Sequence, residues 1–414
     1  MRILMHDYGR YAFPLQLSRA LAARGHRVRH LFSASVPGPQ DTFAKGPDDP
    51  ANLEICGLRI AGEFAKNTLF RRRAQEMSHG YLAQEHVFQF QPDVVISSNT
   101  PLEAQNLVQQ AAHACSARFM YWVQDLHGLA IWKILRKRLG VMGELIGRYY
   151  MRLERGLFQR SDELILITED FKSVMENAGI PPERLHVIPN WAPIDEIPVR
   201  EKENEWSRAH GLADKRCFIY TGTLALKHNP DLLLRLAQQF EPQEDVRVVV
   251  VSSGQKADEV KRDAESRALK NVIVLPFQPA SVLPSVLAAA DVLMAILDPD
   301  AGEFCVPSKI LSYFCAGRAV LLSVPLDNLA ARVVADEGAG VACSPYDTDG
   351  FIAAAQGLMD DARLRHTCGL RGLAYAQQHF DIEDITDEFE NIIGAAERRM
   401  MPRAAARIGA EAVA

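Results

Sequence analysis

Nothing in the 414-residue sequence approaches the ~20 consecutive apolar residues of a membrane span, so any membrane contact is expected to be peripheral. Cysteine is sparse and unpatterned. The seven cysteines, at positions 56, 115, 217, 305, 315, 343 and 368, are odd in number and include no Cys-x-x-Cys pair, which argues against a disulfide framework and a zinc site. Reduced thiols in a cytoplasmic protein are the expectation, with Cys305 and Cys315 read as small buried hydrophobes. The net charge of −6 carries no global signal for nucleic acid. The opening Met1–Asp7 is too brief for the apolar region of a signal peptide. A dinucleotide fingerprint is also missing: the loop Asp7-Tyr8-Gly9-Arg10-Tyr11 has one glycine and no G-x-G-x-x-G.

What is present is a repeated pattern of apolar strands ending in polar or glycine loops, in a chain long enough for roughly two to three domains. Ile3–Met5, an amphipathic run Pro14–Arg24 closed by Gly25, and Val28–Phe32 make the βαβ opening of a doubly wound sheet. Ser33–Ala51, rich in Pro, Gly and Asp, reads as a mobile loop. The strand from Asp93 runs into Ser97-Ser98-Asn99, and Arg118–Val123 runs into Gln124-Asp125-Leu126-His127-Gly128. Polar groups at strand C-terminal ends face the ligand crevice of such sheets, which makes Tyr8, Gly9, Asn99, Asp125 and His127 candidates. The competing account of Asp125 and His127 is a helix-capping aspartate beside an incidental histidine. After strands at Glu163–Thr168 and Leu185–Ile188, the acidic Ala192–His210 reads as a link between domains.

A second series opens at Cys217–Thr223, where Gly222 permits close approach by a ligand and Lys227 follows as a cation for a phosphate. Arg247–Val251 ends in Ser252-Ser253-Gly254, and Val272–Leu275 ends in Pro276-Phe277-Gln278-Pro279. Asp291–Leu297 then leads into Glu303-Phe304-Cys305-Val306-Pro307-Ser308-Lys309 and a helix through Phe314 stopped at Gly317. Pro307 suits the first helical position, and Ser308 and Lys309 sit beside free backbone N–H groups at the positive end of the dipole, a site for a diphosphate. The same residues also fit an ordinary capped helix with a solvated lysine. Asp298-Pro299-Asp300 reads as a turn, with no metal expected. A last helix spans Ile382–Arg399, and Met400–Ala414 reads as frayed.

Lys133–Arg160 carries eight Lys and Arg against Glu144 and Glu154, interleaved with Trp132, Tyr149, Tyr150 and aliphatic residues. Such a stretch suits an anionic membrane surface, and equally a solvated helix face packed on its own domain.

Four segments in this order, Ile188-Pro189-Asn190-Trp191, Tyr220-Thr221-Gly222-Thr223-Leu224, Ala289-Ala290-Asp291-Val292 and Pro307-Ser308-Lys309 through Ala316-Gly317-Arg318, carry a resemblance across nearly the whole chain. It resembles the retaining glycosyltransferases of family 4, and among them bacterial polysaccharide and O-antigen transferases of the colanic-acid and N-acetylfucosamine type. The resemblance implies an α/β GT-B fold, two Rossmann-like doubly wound domains facing across a cleft. An acceptor-binding domain would span 1–191, a linker 192–212, a nucleotide-sugar domain 213–380, and a C-terminal helix and tail 381–414. It further implies that Lys227, Ser308 and Lys309 hold the diphosphate, with Gly222 and Thr223 close to it. Ser253, Gly254, Glu303 and Pro307 complete the donor site, and Phe277 and Gln278 contact the base. Tyr8, Gly9 and Asn99 would bind the acceptor, with Asp125 and His127 facing the transferred sugar.

The implied reaction moves a sugar from a UDP-sugar, or a GDP-sugar, to a lipid-linked or saccharide acceptor at the inner membrane face. It needs no cofactor beyond the nucleotide-sugar co-substrate. Departures from the family pattern are that Ser312 and Phe304 stand where a pair of glutamates is usual, Glu303 lies one position off, and Thr223 replaces an arginine. A nucleotide-sugar 2-epimerase of the same fold and a non-catalytic membrane-associated partner are the competing functions.

Overall fold

The structure is a computed structural model in which residues 1–36, 43–62, 69–224, 228–301 and 305–395 are described. Lys227, Glu303 and the tail Met400–Ala414 lie outside the described residues. The chain divides into two compact units, with the break between Pro189 and Asn190 and the segment from Ile382 belonging to the first.

The first unit contains β1 (Arg2–Asp7), α1 (Ala12–Ala23), β2 (Arg27–Ser33), β3 (Leu53–Leu58), α2 (Leu69–Phe90), β4 (Val94–Ser98), α3 (Leu102–Ala114), β5 (Arg118–Val123), α4 (His127–Arg160), β6 (Glu163–Leu166), α5 (Lys172–Asn177) and β7 (Leu185–Val187). Its strands are all parallel, in the order β3-β2-β1-β4-β5-β6-β7. Ile3, Leu4 and Met5 are fully buried, as a strand covered by helices on both faces requires, and this is why the run is apolar without alternation. The strand β3 lies within the region adjoining the loop read as mobile, and the sequence pattern did not reveal it.

A helix over 382–395 packs onto this unit. Phe389 meets Trp122 with ring centroids 5.0 Å apart, and the Arg118 guanidinium donates to the Ile393 carbonyl at 2.6 Å. Arg24 adds ion pairs to Glu383, Asp387 and Glu390.

The second unit contains α6 (Glu205–Ala209), β8 (Arg216–Thr221), α7 (Asp231–Phe240), β9 (Val246–Val251), α8 (Gln255–Ser266), β10 (Val272–Leu275), α9 (Leu283–Ala288), β11 (Val292–Ile296), α10 (Lys309–Cys315), β12 (Ala319–Ser323), α11 (Leu329–Glu337), β13 (Gly340–Cys343), α12 (Thr348–Asp360) and α13 (Ala362–His379). Its parallel sheet runs β10-β9-β8-β11-β12-β13 over a core that includes Phe218, Phe240 and Phe351. The segment read as a link is packed onto this unit: Asn204 caps α6 in a reciprocal capping box, Arg200 donates to Ser285, and Lys202 pairs with Asp291. Asp291 also accepts the Cys217 N–H at 2.7 Å, so this acid ties the starts of two strands.

Candidate functional site

Each sheet has one point where strand order reverses, and there the loops leaving adjacent strands diverge to open a crevice. In the first unit the reversal falls between β1 and β4, with Asp7 opposite Ser98 and Ser98 opposite Trp122. The loops carrying Tyr8 and Gly9, Asn99, and Asp125 with His127 therefore leave neighbouring strands along one edge. Asn99 adopts a left-handed φ of 49°, which turns the chain sharply away from β4. Tyr8 is buried with its ring edge-on to His79 at 4.7 Å, so most of the side chain serves packing.

Two groups the sequence reading did not single out govern this edge. Asp7 is fully buried and accepts the N–H groups of Tyr11 at 2.7 Å and Gly9 at 3.1 Å, shaping the first loop. Burial pushes its carboxyl up to about 7 against those hydrogen bonds. Its position directly before the loop was visible in the sequence. Glu154 is the second. It lies 27 residues beyond His127, yet its buried carboxyl accepts the backbone N–H groups of Gly128 and His127. Burial raises it to about 8. The N-cap of α4 is Leu126, so Asp125 is not the helix cap: Glu154 supplies that service from a later turn of the chain. No local signal announces this contact.

In the second unit the reversal falls between β8 and β11. Tyr313 of α10 spans it: its hydroxyl meets the Thr221 backbone N–H and hydroxyl, both at 3.2 Å, and donates to the Met294 carbonyl at 3.1 Å. Lys309 lies one helical turn before Tyr313 and so shares its face. Its ammonium is out of solvent, 3.5 Å from the centre of the Tyr220 ring. Gly222, with φ +101°, leaves β8 beside it; a Cβ there would stand 3.6 Å from Lys309 Nζ. Tyr220 is held in turn by its hydroxyl, which donates to the Thr223 carbonyl at 2.9 Å, while the Thr223 side chain is exposed.

Helix α10 begins at Lys309 with Ser308 as its N-cap, so Pro307 precedes the first helical position that the sequence assigned to it. The N-cap makes no side-chain cap hydrogen bond, and Gly317 at φ +62° ends the helix as read.

The remaining loops of this edge are knitted together. Ser253 Oγ accepts the Phe277 N–H at 2.9 Å, Ser252 Oγ accepts the Leu224 N–H at 3.3 Å, and Gly254 at φ +102° starts α8. Gln278 accepts from the Trp206 indole at 3.0 Å and donates to the Pro276 carbonyl at 2.9 Å. Its amide is thus engaged inside the unit. The turn at Asp298-Pro299-Asp300 is a short 3-10 segment, Pro299–Ala301. Among the described residues no group of three or more His, Cys, Asp or Glu side chains is placed to hold a metal ion.

Two family models cover these units. Residues 9–191 match the description "Glycosyl transferase 4-like domain", and residues 202–373 match "Glycosyl transferases group 1". The chain carries the two domains of a GT-B glycosyltransferase. This glycosyltransferase is 22% identical, over 90% of its length and 93% of the other, to an Escherichia coli (strain K12) protein provisionally named colanic acid biosynthesis glycosyl transferase WcaI. Solved structures share the fold. HepE of Anabaena in complex with UDP-glucose matches with a TM-score of 0.67 at 16% identity, covering 95% of this chain and 100% of that one. WaaG, a glycosyltransferase involved in lipopolysaccharide biosynthesis, gives 0.66 at 18% over 93% and 98%. Sucrose-phosphate synthase from Thermosynechococcus elongatus gives 0.72 at 14% over 97% and 100%.

Proposed function

We propose that this glycosyltransferase is a retaining, metal-independent enzyme of cell-surface polysaccharide biosynthesis, within the colanic-acid, O-antigen and N-acetylfucosamine group. It moves a sugar from a nucleotide-diphosphate sugar, UDP-linked in preference to GDP-linked, to a lipid-linked or saccharide acceptor at the inner membrane face. The observation that carries the donor assignment is the Lys309 ammonium, held over Tyr220 beside Gly222 at the reversal of the second sheet. A buried cation next to backbone without a side chain is a site for a diphosphate. The name of the WcaI relative supports the pathway class, and the UDP-glucose complex of HepE supports the nucleotide.

In the proposed reaction the bond between the anomeric carbon and the diphosphate oxygen breaks, and a bond to the acceptor oxygen forms on the same face. The acceptor proton passes to the departing diphosphate. Lys309, with Ser308 and Lys227, offsets the charge that develops on that leaving group, the main protein contribution to such a step. Gly222 and Thr223 approach the diphosphate, with Ser253, Gly254, Pro307 and Glu303 completing the donor site. With the Gln278 amide engaged, the Phe277 ring and loop backbone contact the base. Tyr8, Gly9 and Asn99 bind the acceptor, while Asp125 and His127 face the transferred sugar.

A thermal-shift panel of UDP, GDP, ADP and their sugar conjugates, with and without EDTA, tests the reading. A shift with UDP that EDTA leaves unchanged supports it; no shift with any diphosphate would overturn the donor assignment in favour of a non-catalytic partner. Incubating the UDP-sugars without acceptor separates transfer from 2-epimerisation, which would yield an epimerised nucleotide sugar.

A further inference from the structure

Helix α4 is two helices. Gly140 interrupts it at φ 53°, ψ −125°, a conformation for glycine alone, and the chain doubles back. The second arm then lies against the first. A Cβ on Gly143 would fall 1.9 Å from the Leu135 carbonyl oxygen, one on Gly147 would fall 2.6 Å from the Trp132 ring, and one on Gly128 would fall 3.1 Å from the Tyr150 carbonyl. Glycines at 143 and 147, one turn apart, thus let two helix backbones approach where larger residues would hold them apart. The Trp132 indole donates to Glu144 at 2.9 Å across the pair.

The base of this hairpin is anchored, and its end is bare. Leu157 and Phe158 are buried, Gln109 of α3 donates to the Leu157 carbonyl at 3.0 Å, and the Tyr150 hydroxyl donates to Glu103 at 2.7 Å. Toward the turn, Val141 is 80% exposed, Met142 66% and Leu145 64%, with Leu139 on the other arm. Eight of the 17 exposed large apolar side chains among the described residues fall between 134 and 151, so the exposure is a patch rather than the usual scatter. Six cations stand against one acid, Glu144, between Lys133 and Arg152, a net charge of +5.

We infer that the α4 hairpin is a preformed wedge that docks tip-first into an anionic bilayer, with Val141, Met142 and Leu145 entering the acyl boundary and Arg136, Lys137 and Arg138 at the lipid phosphates. This deepens the membrane partner of the proposed function and rests on that part of it. Val141 to Leu145 rises about 6 Å along the arm, matching the roughly 5–10 Å to which interfacial helices bury. Charge decides the occupant: a hairpin of net charge +5 attracts anionic headgroups and repels a second copy of itself. No helix among the described residues is long and apolar enough to cross a membrane, so the hairpin docks rather than spans.

The experiment is sedimentation of the full chain with vesicles of mixed phosphatidylethanolamine and phosphatidylglycerol, against pure phosphatidylcholine. The V141S/M142S/L145S variant, altered at exposed positions without changing the charge, should bind the anionic vesicles at least ~10-fold more weakly while keeping the wild-type thermal shift with UDP. A Met142→Trp variant should gain fluorescence quenched by brominated acyl chains. Unchanged binding of the triple variant, with binding lost only on neutralising Arg136, Lys137 and Arg138, would overturn insertion in favour of flat electrostatic adsorption. Absence of wild-type binding, with self-association that the triple variant abolishes, would assign the tip to a second copy. The UDP shift is read independently, so failure of docking and failure of the donor site are distinguishable.

Discussion

Replacing Lys309 by Met isolates the charge at the donor site. The side chain's length and its packing against Tyr220 are kept, and only the ammonium, 3.5 Å from the ring centre, is lost. A charge-assisted hydrogen bond to a phosphate contributes about 1.5–3 kcal/mol, which at about 1.4 kcal/mol per decade is roughly 10- to 150-fold in UDP affinity. For the free protein two effects oppose: up to about 2 kcal/mol of cation–π attraction disappears, and the cost of keeping an ammonium out of water disappears with it. The melting temperature of the free variant should therefore stay within about 5 °C of wild type. Isothermal titration with UDP, beside thermal melts without ligand, reads both quantities. UDP affinity within about threefold of wild type would refute the placement of Lys309 at the diphosphate. A collapse of the melting temperature with a matching loss of affinity would show that the residue acts through stability.

Further consequences follow from other parts of the molecule. Asp7 and Glu154 hold their protons more tightly folded than unfolded, so each favours the folded state at low pH, and that contribution fades as pH rises toward about 7 and about 8 respectively. Glu154→Gln should accordingly be most destabilising relative to wild type near pH 5 and close the gap by a few kcal/mol near pH 8; urea melts showing a pH-independent difference would contradict the assignment. Gly143→Leu places a side chain where the Leu135 carbonyl lies and should open the hairpin, costing about 1–3 kcal/mol and lowering vesicle binding; wild-type proteolytic resistance around Gly140 would count against the close pairing of the arms. His127→Ala should reduce transfer more than UDP binding, and an equal loss in both would remove His127 from the transferred sugar. Arg24→Ala releases the ion pairs to Glu383, Asp387 and Glu390, and should loosen the 382–395 helix by about 1 kcal/mol in a salt-sensitive manner, read by hydrogen exchange in that helix.

Val272–Leu275 was legible to the residue because four consecutive β-branched and aliphatic residues favour a strand and the run stops at Pro276. Strand β3 escaped because it lies at the sheet edge, with only its ends, Leu53 and Leu58, buried, so its pattern resembles a loop. The hydrogen bond between Gln278 and Trp206 was not legible because the two residues lie 72 positions apart.

The sequence by itself determined the alternation of strands and helices, the placement of polar and glycine residues at strand ends, and the Pro-Ser-Lys helix start. These depend on local propensity and on periodicity, which neighbouring residues carry. Only the tertiary structure decided that Lys309 rests on Tyr220, that Glu154 caps the helix after Asp125, and that Lys133–Arg160 folds into a hairpin rather than one amphipathic rod. A glycine inside a helical pattern is tolerated or turning according to what packs beyond it, and at Gly140 the close approach of Gly143 and Gly147 to the first arm made it a turn.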